Sequence, residues 1–291
     1  MSVPAAFMGI ILIWSTTPLA IKWSSEDVGF LFGLTSRMML GMVLCFALLA
    51  LLRVRISWQR QARHTYLASG LGLYAAMLCV YWGAQFISSG LVSVVYGLLP
   101  MLTFFIAALV LGQSLWQPAK LLGALLGFIG LVVIFNPQDS ISLSALLGIG
   151  AVIASALIHA LSMVWVKKIG ADIGALSVTA GGLLVAVPLY LATWLLFDGQ
   201  LPESISEKTL SAILYLGVMG SVVGFVAFYH ALKHVSADAI ALLTLITPVL
   251  ALALGHWLNQ EPLRVEILAG AACILLGLAV HNWGEKIFLR A

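Results

Sequence analysis

The sequence predicts an all-α membrane protein that crosses the bilayer ten times. Three observations carry that prediction. Hydrophobic residues make up 62% of the chain and charged residues only 9%, against about 25% charged in an ordinary soluble domain. Runs of about 20 apolar residues recur from end to end, each long enough to cross a hydrocarbon core of about 30 Å as a helix. The polar connections between them are too short to fold on their own, so no soluble catalytic domain fits. Helices satisfy their own backbone within each run, whereas barrel strands would alternate polar and apolar residues, a pattern this chain lacks.

The predicted spans are 3–23, 29–52, 66–86, 89–111, 118–135, 143–167, 173–197, 209–232, 236–258 and 263–283. The first run lacks a basic leader and a small-residue cleavage site, so it is read as a helix retained in the mature protein. Cys45, Cys79 and Cys273 all fall inside spans. That placement suggests neither a disulfide framework nor a metal site, and the cysteines read as small packing residues. No cofactor is expected.

With ten spans, both termini lie on one side of the membrane. That side receives Arg53, Arg55, Arg60, Arg63, Lys120, Lys167, Lys168, Lys233, Lys286 and Arg290, while the other receives only Lys22, Lys208 and Arg264, with Arg37 inside a span. The excess of positive charge marks the side of the termini as cytoplasmic. Topology accounts for the cluster between spans two and three, so no nucleic-acid partner is inferred. The partners expected are membrane lipid and a small-molecule substrate.

The two halves repeat a pattern. Pro100 is followed thirteen residues later by Gln113, then by Gly123 and Gly130. Pro248 is followed thirteen residues later by Glu261, then by Gly270 and Gly277, with the same spacing of seven between the glycines. Likewise Ile13-Trp14 to Lys22 matches Ile158-His159 to Lys167. Five spans per repeat is an odd number, so the halves, 1–137 and 138–291, are expected to be related by inversion across the membrane. Inverted repeats are characteristic of secondary transporters, in which two related bundles exchange which face is open around a site near the midplane.

These residues resemble the EamA-type ten-helix members of the drug/metabolite transporter superfamily. The resemblance rests on Trp14-Ser15 with Pro18 and Lys22, on Arg37, and on the Pro100 to Gly130 and Pro248 to Gly277 signatures, which together cover nearly the whole chain. Family members often carry Trp-Gly and Gly-Glu where this chain has Trp14-Ser15 and Gly112-Gln113, and Glu261 keeps the acidic residue in the second half only. The resemblance implies a five-plus-five transporter with a central cavity lined by spans one, three, four, six, eight and nine, moving amino acids, other metabolites, nucleotide sugars or drugs.

Candidate site residues follow from polar stripes and proline kinks. Pro18, Pro100 and Pro248 free the carbonyls of Trp14, Tyr96 and Thr244, which need a partner or a cavity in lipid. Polar residues within spans are expected to face a lining rather than lipid. On that ground the candidate substrate contacts are Trp14, Thr17, Tyr74, Tyr81, Ser93, Tyr96, His159, Ser162, Tyr229 and Thr244. The same stripes include Gln85, Ser89, Thr103 and Ser155, with Trp82, Tyr215 and Thr247 nearby; helix packing is the competing role for each. His159, ionisable and deep in a span, is also the candidate for proton coupling. Arg37 needs a partner to lower its cost, with Glu26 or Asp27 as nearby carboxylates, and a structural or gating role is expected of it and of the three prolines. Glycines four apart, such as Gly123 with Gly127, allow close helix approach, and homodimerisation is one use of that.

No Gly-x-Ser-x-Gly elbow, His-Glu-x-x-His pair or phosphate loop occurs, and no Asp or Glu sits mid-span, which disfavours a membrane enzyme or an ATP-driven pump. A channel fits the composition but not the repeat. The expected function is therefore secondary transport of small organic metabolites, amino acids or related amphipathic compounds, in the direction of export across an inner membrane. Import of a vitamin-like metabolite is the nearest alternative.

Overall fold

The computed structural model describes residues 3–112, 114–134, 142–224, 227 and 237–288, with side chains within 8–284 apart from 228–244. The regular structure of those residues is helical, in ten helices. They are α1 (Val3–Trp23), α2 (Phe30–Leu51), α3 (Arg60–Gly83), α4 (Ser89–Leu111), α5 (Pro118–Ile134), α6 (Leu143–Ile169), α7 (Ala175–Phe197), α8 (Glu207–Tyr215, continued by π-helical turns Leu216–Val223), α9 (Ala237–Asn259) and α10 (Val265–Phe288). Six of these are long and apolar enough to cross a membrane by length and composition, and three shorter apolar helices lie in α1, α5 and α9.

Where helix ends differ from the predicted spans, polar ends explain the difference. α3 begins at Arg60 rather than 66, because Arg60, Arg63 and His64 extend the apolar run into exposed turns. α6 runs on to Ile169, with Lys167 and Lys168 complementing the helix dipole in its last turn and Gly170, at φ 63°, ending it in the left-handed region. α4 is interrupted: the amides of Gly97 and Leu98 turn back to Val94 and Val95 at 3.0 Å each, and a second half starts at Leu99. Pro100 then sits in a first turn, where its missing amide costs little. Pro18 and Pro248 lie inside continuous helices.

The packing has a two-fold pattern. α5 packs on α10, α2 on α7, and the first half of α4 on α9; α3 packs on α6 and α7 as α8 packs on α1 and α2; and α4 packs on α6 as α9 packs on α1. Exchanging each helix with the one five places along leaves this set of partners unchanged. The repeated glycines line the contact between its exchanged helices α5 and α10. A Cβ on Gly123 would lie 2.5 Å from the carbonyl oxygen of Gly277, and one on Gly130 would lie 2.6 Å from that of Gly270. Each signature glycine of one half therefore meets the non-equivalent signature glycine of the other, first with second, and the spacing of seven is the register of an antiparallel contact between bare backbones. The equivalent helices α4 and α9 also end alike, on Gly112 at φ 67° and Gln260 at φ 51°.

Candidate functional site

Call the end of the bundle opposite the first residue of α1 and the last of α10 the distal end. Four helix ends meet there through polar contacts. Glu261, in the short connection after α9, accepts hydrogen bonds from the Ser89 amide (3.0 Å), the Ser89 hydroxyl (2.9 Å) and the Gly90 amide (3.3 Å). It thus caps α4, satisfying amides that have no partner within the helix and favoured by the positive end of the dipole. Asn259 donates to the same carboxylate at 3.0 Å, and Lys22, at the end of α1, lies 3.6 Å away while donating to the Ile87 carbonyl at 3.0 Å. Trp23 donates to Asn259 at 3.0 Å. Toward α8, Glu26 pairs with Lys208 at 2.7 Å, and Asp27 accepts from the Thr209 hydroxyl at 2.8 Å.

Between Lys22, Ser25, Glu26, Tyr81 and Gln85 runs a crevice of about 250 Å³. Tyr81, itself fully buried, is the link from this crevice to the interior. Its hydroxyl is 3.3 Å from that of Ser24 and accepts a hydrogen bond from Arg37 Nη1 at 3.2 Å. Arg37 is 3% exposed, and its other terminal nitrogen reaches the Ser221 hydroxyl at 3.5 Å, on the π-helical turns of α8. Its Nε has no hydrogen-bond partner among the described residues. The carboxylates expected to partner it do not: Glu26 and Asp27 point to Lys208 and Thr209 instead. Among the described residues the guanidinium is held by these two hydroxyls and by the face of the Tyr81 ring, 5.7 Å from its centre, which is costly in a buried setting, since a neutral partner returns little of the solvation that a charge loses.

The remaining candidates fall into two groups. On α1, Thr17 donates to the Ile13 carbonyl at 2.6 Å, and Trp14 lies beside Gly224 of α8, where a Cβ would stand 3.7 Å from its indole nitrogen. One residue from each, Thr16 and Tyr215 share a hydroxyl hydrogen bond of 2.5 Å between α1 and α8. Across the two-fold, Tyr96 of α4 bonds Ser155 of α6 at 2.6 Å, and Ser155 in turn donates to the Ala76 carbonyl of α3 at 2.5 Å. Ser162 donates to the Ala68 carbonyl at 3.0 Å, a second tie of α6 to α3. Tyr74 turns away from both groups to Thr193 of α7, at 2.6 Å. Ser93 is buried on α4, and His159 is half-buried on α6 with no hydrogen bond to another described residue. Tyr229 and the Thr244 side chain lie outside the described residues.

The distal network was not foreseen from sequence. The signal for it is Glu261 itself, an acidic residue at an apolar helix end between Gln260 and Pro262, which a helix start across the bundle can use as a cap.

A bundle of ten helices, packed in a two-fold pattern and tied by polar contacts at its distal end, defines an all-α polytopic membrane protein. The chain belongs to the EamA-like transporter family, whose profile matches twice, over residues 3–136 and 146–283. An uncharacterized transporter of Archaeoglobus fulgidus is 26% identical over 277 residues, covering 93% of this chain and 95% of its own. A probable amino-acid metabolite efflux pump of Salmonella typhimurium is 26% identical over 230 residues, 76% of each chain. A solved crystal structure shares the fold with a TM-score of 0.70 at 22% identity, covering 99% of this chain and 98% of the other. The family and these names are those of transporters, not enzymes.

Proposed function

We propose that this protein is a secondary exporter of amino acids or related amphipathic metabolites, working by alternating access in a bacterial inner membrane with both termini cytoplasmic. The observation that carries the reading is the two-fold packing, with α1–α8 and α3–α6 as equivalent hydroxyl-tied seams on which two half-bundles can rock. The halves are 1–137 and 138–291; that boundary falls outside the described residues. The distal network is then a periplasmic closure. The name of the Salmonella relative supports the substrate class and direction, and Trp14 and Tyr96 supply aromatic surface at the two seams for an apolar substrate group.

A thermal-shift screen of the purified protein against amino acids, nucleosides, vitamins and cationic drugs tests the substrate class. An amino acid that stabilises the wild type, but not Trp14→Ala or Tyr96→Ala, is the expected result. Stabilisation by a vitamin alone would replace export of amino acids with the import reading.

Arg37 has a gating role in this scheme, linking the Tyr81 floor of the distal crevice to the π-helical turns of α8. Because its charge is buried without a carboxylate among the described residues, Arg37→Met is expected to leave thermal stability unchanged or raised while lowering flux at least roughly tenfold. A variant that loses stability and flux together would make Arg37 a structural residue only.

A further inference from the structure

We infer that the seam between α3 and α6 holds an anionic phospholipid, its chain in the groove and its headgroup on the basic ends of the two helices. The helices are antiparallel, as the contacts Ser162 to Ala68, Ser155 to Ala76 and Gly83 to Gly148 run in opposite order along them. The start of α3 and the end of α6 therefore lie together, at the end of the bundle away from the Glu261 network. On the flank of this seam is a groove of about 480 Å³, lined by His64, Leu67, Leu71, Leu161, Trp165 and Ile169 among others, nearly all of its wall apolar. Leu67, Leu71, Leu161 and Trp165 are 49%, 51%, 42% and 50% exposed, so the groove is open along its length. The one hydroxyl in its wall, Ser162, is already turned to the Ala68 carbonyl and asks nothing of a ligand.

Charge decides the occupant. Arg60 stands one turn before His64 on the same face of α3, and Lys168 one turn after Trp165 on the same face of α6. Arg63 and Lys167 are exposed beside them. An uncharged lipid would fill the groove and leave these cations unanswered; a phosphate-bearing headgroup with a net negative charge answers both helices at once, and cations near an anionic membrane surface favour it by an amount that grows with their number. Trp165 sits one turn inside this charge, the depth at which indoles prefer the interface. The site joins one helix from each half, so an occupied groove braces the very seam across which the halves move. This inference stands whether or not amino acids are the substrate.

Native mass spectrometry of the full-length protein, offered equal amounts of phosphatidylglycerol and phosphatidylcholine with identical chains, tests it. The wild type retains phosphatidylglycerol in preference. Replacing Arg60, Lys167 and Lys168 with glutamine lowers that preference at least roughly tenfold, whereas Lys167→Arg with Lys168→Arg keeps it. Filling the groove with Leu71→Trp and Leu161→Trp lowers retention of both lipids. Unchanged preference in the glutamine variant, unchanged retention in the filled groove, or displacement of the bound lipid by chain-free glycerophosphoglycerol as readily as by the lipid itself would each overturn the site.

Discussion

Gly130→Leu is expected to prevent the two halves from closing on each other, with an apparent melting temperature lowered by more than about 10 °C or no folded protein recovered. The reason is geometric. The first atom of any side chain at this position would stand 2.6 Å from the Gly270 carbonyl oxygen and 2.9 Å from the Ile274 nitrogen, both backbone atoms of α10. Backbone cannot rotate aside, so the helices must separate, and with them goes the dispersion attraction that joins helices where lipid removes any hydrophobic advantage. Gly150, on α6, provides the control: a Cβ there meets nothing within 4 Å. Gly150→Leu should shift stability by no more than about 0.5 kcal/mol. Thermal unfolding of both variants in one detergent separates the outcomes, and a Gly130→Leu protein as stable as the control would remove the glycine seam from the account.

Glu261→Ala is expected to cost about 3 kcal/mol, since it strips the cap from α4 and leaves the Ser89 and Gly90 amides, the Asn259 amide and Lys22 without their shared acceptor. The effect should depend on pH. Burial opposes ionisation of this carboxyl, but hydrogen bonds from the Ser89 amide, Asn259 and the Ser89 hydroxyl, together with the Lys22 charge, outweigh it and hold its pKa below the ordinary carboxylate value. A carboxyl depressed by folding contributes stability that is complete above its unfolded pKa and is lost as pH falls through the folded one. The stability gap between wild type and Glu261→Gln should therefore be widest at neutral pH and narrow below about pH 4. A gap that stays constant down to pH 3 would mean that the capping charge contributes nothing.

The fold was legible because hydropathy, span length and the repeated signatures all point the same way. The glycine spacing of seven even carried the register of the α5–α10 contact, since Gly123 meets Gly277 and Gly130 meets Gly270. Individual site residues were harder to read. A serine in a span has the same appearance whether it faces a substrate or a neighbouring carbonyl, and the structure turns Ser155 and Ser162 to Ala76 and Ala68. Tyr74 bonds Thr193 on α7 for the same reason: a lone hydroxyl in lipid takes the nearest acceptor. The partner of Arg37 was sought among residues close in sequence, whereas Tyr81 and Ser221 lie 44 and 184 positions away. Only tertiary packing brings such residues together.

Exchange flux in proteoliposomes decides whether this chain is a two-faced carrier. Vesicles preloaded with an unlabelled amino acid are presented with the labelled form outside. A carrier gives saturable uptake that is accelerated by substrate on the far side, because each return of an occupied carrier exposes the site anew. Uptake that rises without saturation and ignores the far side would identify a channel instead.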